Sequence, residues 1–125
     1  LYADKIVGKI VSCLERNGLR EKTVLIYTTD NGTHRNLTYP YKSESRKGEK
    51  AYATDGGTHV PLILNCPGTI PRGIKCNDLV DFSDFVPTIS EIGKANPPDI
   101  QLDGKSFWPQ CLGKKGNPRK WIFVG

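Results

Sequence analysis

The sequence has no methionine, no internal repeat, no low-complexity tract, and no apolar run near the ~20 residues that a membrane-spanning helix requires. A soluble, globular chain without a membrane span is therefore expected. Four cysteines (Cys13, Cys66, Cys76 and Cys111) are present without CxxC spacing, which argues against a zinc framework. No RNA-recognition signature and no basic-aromatic repeat occur. The excess of eighteen Lys and Arg over thirteen Asp and Glu, a formal charge of +5, favours anionic partners mildly and is too diffuse to indicate nucleic acid. No targeting peptide is visible. The 125 residues suffice for one domain with a modest core. The chain opens in mid-helix without an initiator Met and closes on Trp121-Ile122-Phe123-Val124, which reads as a strand cut at its end. An internal piece of a longer protein is expected.

What is present centres on Thr23 to Gly32, Thr-Val-Leu-Ile-Tyr-Thr-Thr-Asp-Asn-Gly. Val24 to Tyr27 run without polar alternation, which suits a strand covered on both faces, as in a parallel α/β sheet. In such sheets ligands collect beyond the carboxyl ends of the strands. Asp30 and Asn31 stand at that end and carry the oxygen donors that hard cations such as Ca²⁺ or Mg²⁺ prefer. By itself Asn-Gly reads equally well as a turn. Asn31 and Asn36 also head Asn-x-Thr sequons, and a glycan on Asn31 would be incompatible with metal ligation.

Before this strand, Ala3, Ile6, Val7, Ile10, Val11 and Leu14 recur at helical spacing, predicting an amphipathic helix over 2–17 packed on a sheet, with Cys13 buried on its apolar face. Gly18 is placed to end it as a left-handed cap. After Gly32, residues 33–54 show no sustained periodicity and read as a long polar loop carrying Arg35, Lys42, Arg46, Lys47 and Lys50; Arg35, Lys42, Arg46 and Lys47 are candidate contacts for a polyanion, and any one of them reads more readily as ordinary solvated surface. Asp55-Gly56-Gly57 reads as a turn, and Val60 to Asn65 as a second strand with Pro61 near its start. Cys66 and Cys76 then bracket a Pro-Gly-rich loop and could pair in an oxidising compartment, which the sequence does not decide. Leu79-Val80 reads as a minor strand. Asp81 or Ser83 can cap a helix with Phe85, Val86, Ile89 and Ile92 on one stripe, Phe82 as a staple and Gly93 as its stop. Residues 94–101 read as a loop and 103–108 as the opening of a short helical or irregular segment.

The order and spacing of these parts resemble the sulfatase family of the alkaline-phosphatase-like superfamily. The resemblance rests on the helix before the strand, Thr-Val-Leu-Ile-Tyr-Thr-Thr-Asp-Asn-Gly, Lys-Ala-Tyr-Ala-Thr-Asp-Gly-Gly-Thr-His-Val-Pro, Asp-Phe-Ser-Asp-Phe-Val-Pro-Thr and Leu-Asp-Gly-Lys-Ser-Phe. It implies an α/β fold, a mostly parallel sheet flanked by helices, with residues 1–125 as the C-terminal portion of a catalytic domain. It assigns Asp30 and Asn31 as two ligands of a divalent cation, usually Ca²⁺, and Lys50, five residues before Asp55, as the catalytic lysine that contacts the sulfate. His34 and His59 are further candidates for substrate binding, although a lone histidine is a weak signal and His59 also reads as structural. Where the family commonly has Glu and Arg around the double glycine, this chain has Asp55 and His59. The formylglycine nucleophile, made from Cys or Ser in a Cys/Ser-x-Pro-x-Arg motif, matches none of the four cysteines and is expected outside this chain, before Leu1, together with the family's remaining metal ligands.

The resemblance thus implies hydrolysis of a sulfated small molecule or sulfated glycan, with this chain inactive alone, and an extracytoplasmic protein. A phosphoester or phosphonate hydrolase or a phosphoryl-transfer enzyme of the same superfamily, and a non-catalytic anion- or Ca²⁺-binding module, are the alternatives. A matched pair of sulfate and phosphate esters separates the first two.

Overall fold

The computed structural model describes residues 2–96 and 99–124, so Pro97 and Pro98 of the expected 94–101 loop lie outside the described residues. The chain divides into two compact units, Leu1–Val24 with Asn65–Ile122, and Leu25–Leu64 with Phe123–Gly125. None of the described helices is long and apolar enough to cross a membrane.

The first unit opens with helix α1, Tyr2–Arg16, which Gly18 ends at φ 64°, as its spacing and the glycine predict. The apolar stripe of α1 is broad, and only its Val7, Val11 and Leu14 flank is half-buried. Ile6, Ile10 and Cys13, on the neighbouring flank, are exposed, which corrects the expectation that Cys13 is buried. A 3₁₀ turn, Arg20–Lys22, leads out of the helix, and the buried Cys66 thiol lies 3.5 Å from the Glu21 carbonyl oxygen that accepts from it. Cys66 and Cys76 are both free, so the cross-link that their loop would allow is not formed. Burial, reinforced by the nearby Cys76, pushes the Cys111 thiol up to about 11.

The centre of this unit is polar. Asp81 caps a 3₁₀ turn, Phe82–Asp84, through a reciprocal box: its carboxylate accepts from the Ser83 N–H at 2.9 Å, and its own N–H donates to Asp84 at 2.9 Å. Helix α3, Phe85–Ile92, follows directly; the label α2 is kept for a short helix of the other unit, Asp55–Thr58. Phe82 stacks on Phe85 at 5.3 Å between centroids, and Phe85 meets Phe107 edge-on at 5.5 Å. Asp84 is only 1% exposed. Its carboxylate receives Arg119 through Nε at 2.7 Å and Nη2 at 2.7 Å, and the Lys105 N–H at 2.6 Å. Thr88, fully buried, donates to the Asp84 carbonyl at 2.6 Å and accepts the Phe107 N–H at 3.0 Å, tying α3 to the start of α4, Trp108–Cys111. The expected minor strand at Leu79-Val80 is a single antiparallel bridge from Leu79 to Arg119. The strand expected over 121–124 is not formed: these residues pair with no strand among the described residues.

In the second unit, β1 (Leu25–Thr28) pairs with β4 (Leu62–Asn65). With one strand neighbour among the described residues, β1 is half-buried rather than covered on both faces, and Tyr27 is exposed. The stretch 33–54 departs most from expectation. It contains a hairpin, β2 (Thr38–Tyr41) and β3 (Glu44–Lys47), with Tyr39 opposite Arg46 and Tyr41 opposite Glu44. Pro40 is tolerated because each strand of a two-stranded ribbon has a free edge. The Lys42-Ser43 turn places Lys42 at φ 55°. Asp55-Gly56-Gly57 is likewise not a simple turn: it begins the one-turn helix α2.

Candidate functional site

The end of β1 is held against α2 by main chain. The Gly32 N–H donates to the Gly57 carbonyl at 2.9 Å, and a Cβ at Gly32 would collide with the Gly56 carbonyl oxygen. Gly32 is not among the residues at positive φ, so glycine is required here for close approach and not for a left-handed turn. A second seam runs from the Gly48 N–H to the Leu37 carbonyl at 2.9 Å and from the Lys50 N–H to the Thr33 carbonyl at 3.0 Å. A Cβ at Gly48 would likewise strike the Thr33 and His34 carbonyls. These two seams bring the strand end, the 48–52 segment and α2 together.

Between them lies an open cleft of about 610 Å³ whose walls include Asp30, Asn31, His34, Lys50, Asp55 and His59. All five residues singled out from sequence for the site therefore line one cleft. Asp30 and Lys50 are exposed, and Asn31 is half-buried. Among the described residues, neither Asp30 nor Lys50 forms an ion pair. His34 Nδ1 accepts the Asn36 N–H at 3.2 Å, which leaves the neutral ring's proton on Nε2. His59 Nδ1 lies 3.0 Å from Asp55 Oδ1 one helical turn away, an exposed pair.

Tyr39, Tyr41 and Arg46 of the hairpin also face this cleft. The two tyrosines are not singled out by the sequence, because Tyr41 is exposed and no buried face repeats along the strand. The Arg46 guanidinium sits over the Tyr41 ring, 4.5 Å from its centroid.

A carboxylate and an amide oxygen on adjacent residues suit a hard divalent cation by donor chemistry. Among the described residues no group of three or more His, Cys, Asp or Glu gathers around a metal position.

Comparison with known proteins places these features in context. The Sulfatase family model matches residues 1–95. The chain is 34% identical over 119 residues to "Arylsulfatase" of Hemicentrotus pulcherrimus, covering 94% of this chain and 21% of that protein. It is 32% identical over 122 residues to human "Arylsulfatase A", covering 96% of this chain and 24% of the relative. Among solved structures it resembles the PsFucS1 sulfatase from Pseudoalteromonas sp. with a TM-score of 0.75 and 28% identity, over 94% of this chain and 24% of the other. The chain thus spans about a quarter or less of the length of these relatives. The fold is α/β, in agreement with the alkaline-phosphatase-like architecture.

Proposed function

The chain belongs to the sulfatase family, and on that premise we propose that residues 1–125 form part of a catalytic domain that hydrolyses sulfate esters in the full-length protein. The observation that carries this reading is the convergence of Asp30, Asn31 and Lys50 on one cleft through two main-chain seams. Asp30 and Asn31 would hold the family's divalent cation, in our reading Ca²⁺, as two of the six to eight oxygens that ion takes; the remaining donors come from elsewhere in the full-length protein. A bound cation supplies a fixed positive charge at the ester oxygens.

Lys50 presents an ammonium, without a carboxylate partner among the described residues, to the sulfuryl oxygens and to the leaving oxygen, where charge grows as the S–O bond breaks. The same group can hand its proton to that oxygen. His34, with its ring proton on Nε2, is a second donor toward the substrate. His59, whose Nδ1 meets Asp55 Oδ1, contributes to substrate binding from the cleft wall. The substrates we assign are a sulfated small molecule or sulfated glycan, met outside the cytoplasm.

Turnover of 4-nitrophenyl sulfate and of 4-nitrophenyl phosphate by the full-length protein tests the assignment. Sulfate hydrolysis should dominate, and Asp30→Ala and Lys50→Ala should each lower kcat by about 10²–10³-fold, the usual consequence of removing a charge-stabilising group. Unchanged turnover in both variants, or preference for the phosphate ester, sinks it.

A further inference from the structure

A second cleft opens on the hairpin side of the site. It measures about 450 Å³ and is lined by Arg35, Asn36, Arg46, Lys47, Glu49 and Tyr52. Arg46 lines both clefts, so the two adjoin at that residue. Its guanidinium lies over the Tyr41 ring and 4.0 Å from Glu44.

Arg35, Arg46 and Lys47 share this lining with one carboxylate, Glu49, which is occupied; Arg46 has Glu44 as well. Glu49 accepts the Thr54 hydroxyl and packs against Gly56. Among the described residues Arg35 and Lys47 have no carboxylate within 4.0 Å. Tyr52, 54% exposed, adds an apolar ring face beside the charges, and Asn36 adds an amide that both donates and accepts. An anionic sugar has the complementary parts: charged oxygens, an apolar C–H face and hydroxyls.

Resting on the sulfatase reading of the neighbouring cleft, we propose that this second cleft is a subsite for the adjacent anionic sugar of a polysulfated glycan. The scissile sulfate sits by Lys50 while a neighbouring sulfate or carboxylate reaches Arg35 and Lys47. This sharpens the substrate from any sulfate ester to an oligosaccharide carrying at least two charges. A nucleic acid fits less well, since its recognition draws on a row of about 6–10 phosphate contacts and this cleft offers three cations in one patch.

The test uses full-length protein from a host that adds no N-glycans, so that Asn36 is bare. The double variant Arg35→Ala/Lys47→Ala should leave turnover of 4-nitrophenyl sulfate within about twofold, because that probe reaches only the first cleft. It should raise KM for a sulfated oligosaccharide by about tenfold or more, the size expected for losing charge-assisted hydrogen bonds. Raising the salt should shrink the difference, as exposed charges are screened. Equal effects on both substrates, or on neither, overturn the subsite.

If the wild type cleaves no sulfate ester, the reading of the first cleft fails while the second is still scored by calorimetric binding of the sulfated oligosaccharide against its desulfated form. Loss of that preference in the double variant supports the subsite, and its retention overturns it. Equally tight binding of a single-stranded oligonucleotide by the wild type also overturns it.

Discussion

Asp84 and Asp30 are both carboxylates set at the edge of an apolar segment, and the two units use them in opposite ways. Asp84 is 1% exposed and receives a guanidinium and two main-chain N–H groups. Asp30 is exposed and receives no hydrogen bond from a described residue. A buried charge must be matched within the fold, because an unmatched one costs several kcal/mol. An exposed, unmatched one retains its capacity for a ligand. The same contrast separates Arg119, locked on Asp84, from Lys50, which has no carboxylate partner among the described residues. In this chain the matched pair serves folding and the unmatched pair faces a cleft.

The sharpest way to break that comparison is to exchange the consequences. Arg119→Met should destabilise the protein by about 3–5 kcal/mol, since it strands a buried carboxylate. Lys50→Met, at an exposed position, should change stability by no more than about 0.5 kcal/mol. Thermal unfolding of both variants checks the contrast, and similar losses would dissolve it.

Acid gives a smaller and more specific signal. Burial works to raise the Asp84 carboxyl, but Arg119 and the N–H groups of Lys105 and Asp81 outweigh it and hold the group below its ordinary 3.8. A carboxyl lowered by folding contributes stability that is complete above its unfolded value and is lost as pH falls through its folded one. The wild type should therefore lose the pair's contribution below about pH 3.8. In Arg119→Met the remaining burial favours the neutral acid, so acidification relieves that variant. The gap between the two unfolding midpoints should narrow as the pH drops, and a constant gap would remove Asp84 as its source.

The smallest effect concerns the backbone beside Lys50. Ala51 sits at φ 75°, a left-handed conformation that costs a residue with a Cβ about 1–2 kcal/mol. Glycine removes that strain but adds about 0.4–1 kcal/mol of unfolded-chain entropy. Ala51→Gly should thus stabilise by about 0.5–1 kcal/mol, read as a rise in Tm, with kcat retained if the Lys50 N–H keeps its bond to Thr33.

What was legible in the sequence was local. The 3.6-residue pattern of α1, the Gly18 stop, the apolar runs of β1 and β4 and the Asp81 cap each declare themselves within a few residues. That Asp30, Asn31 and Lys50 share one cleft is a tertiary fact, to which the order of the motifs around them was the guide. The hairpin was hidden because its strands are polar and carry a proline, so no buried face repeats with period two. The Asp84–Arg119 pair spans 35 residues, and no short-range pattern signals a partner at that distance. Asp-Gly-Gly was read from glycine's turn preference, whereas its glycines answer to a tertiary contact with Gly32 and with the 49–52 segment.

That contact has a consequence for how the site can change over generations. The cleft has a floor of main-chain hydrogen bonds, Gly32 to Gly57 and Lys50 to Thr33, and a rim of side chains. The floor forbids almost any replacement at its glycines, yet it is indifferent to what projects from the rim. Asp55 and His59 are rim positions, with His59 Nδ1 3.0 Å from Asp55 Oδ1. Exchanging rim residues would change the charge and shape that the cleft presents without moving the main-chain bonds that set Asp30 and Asn31 against Lys50.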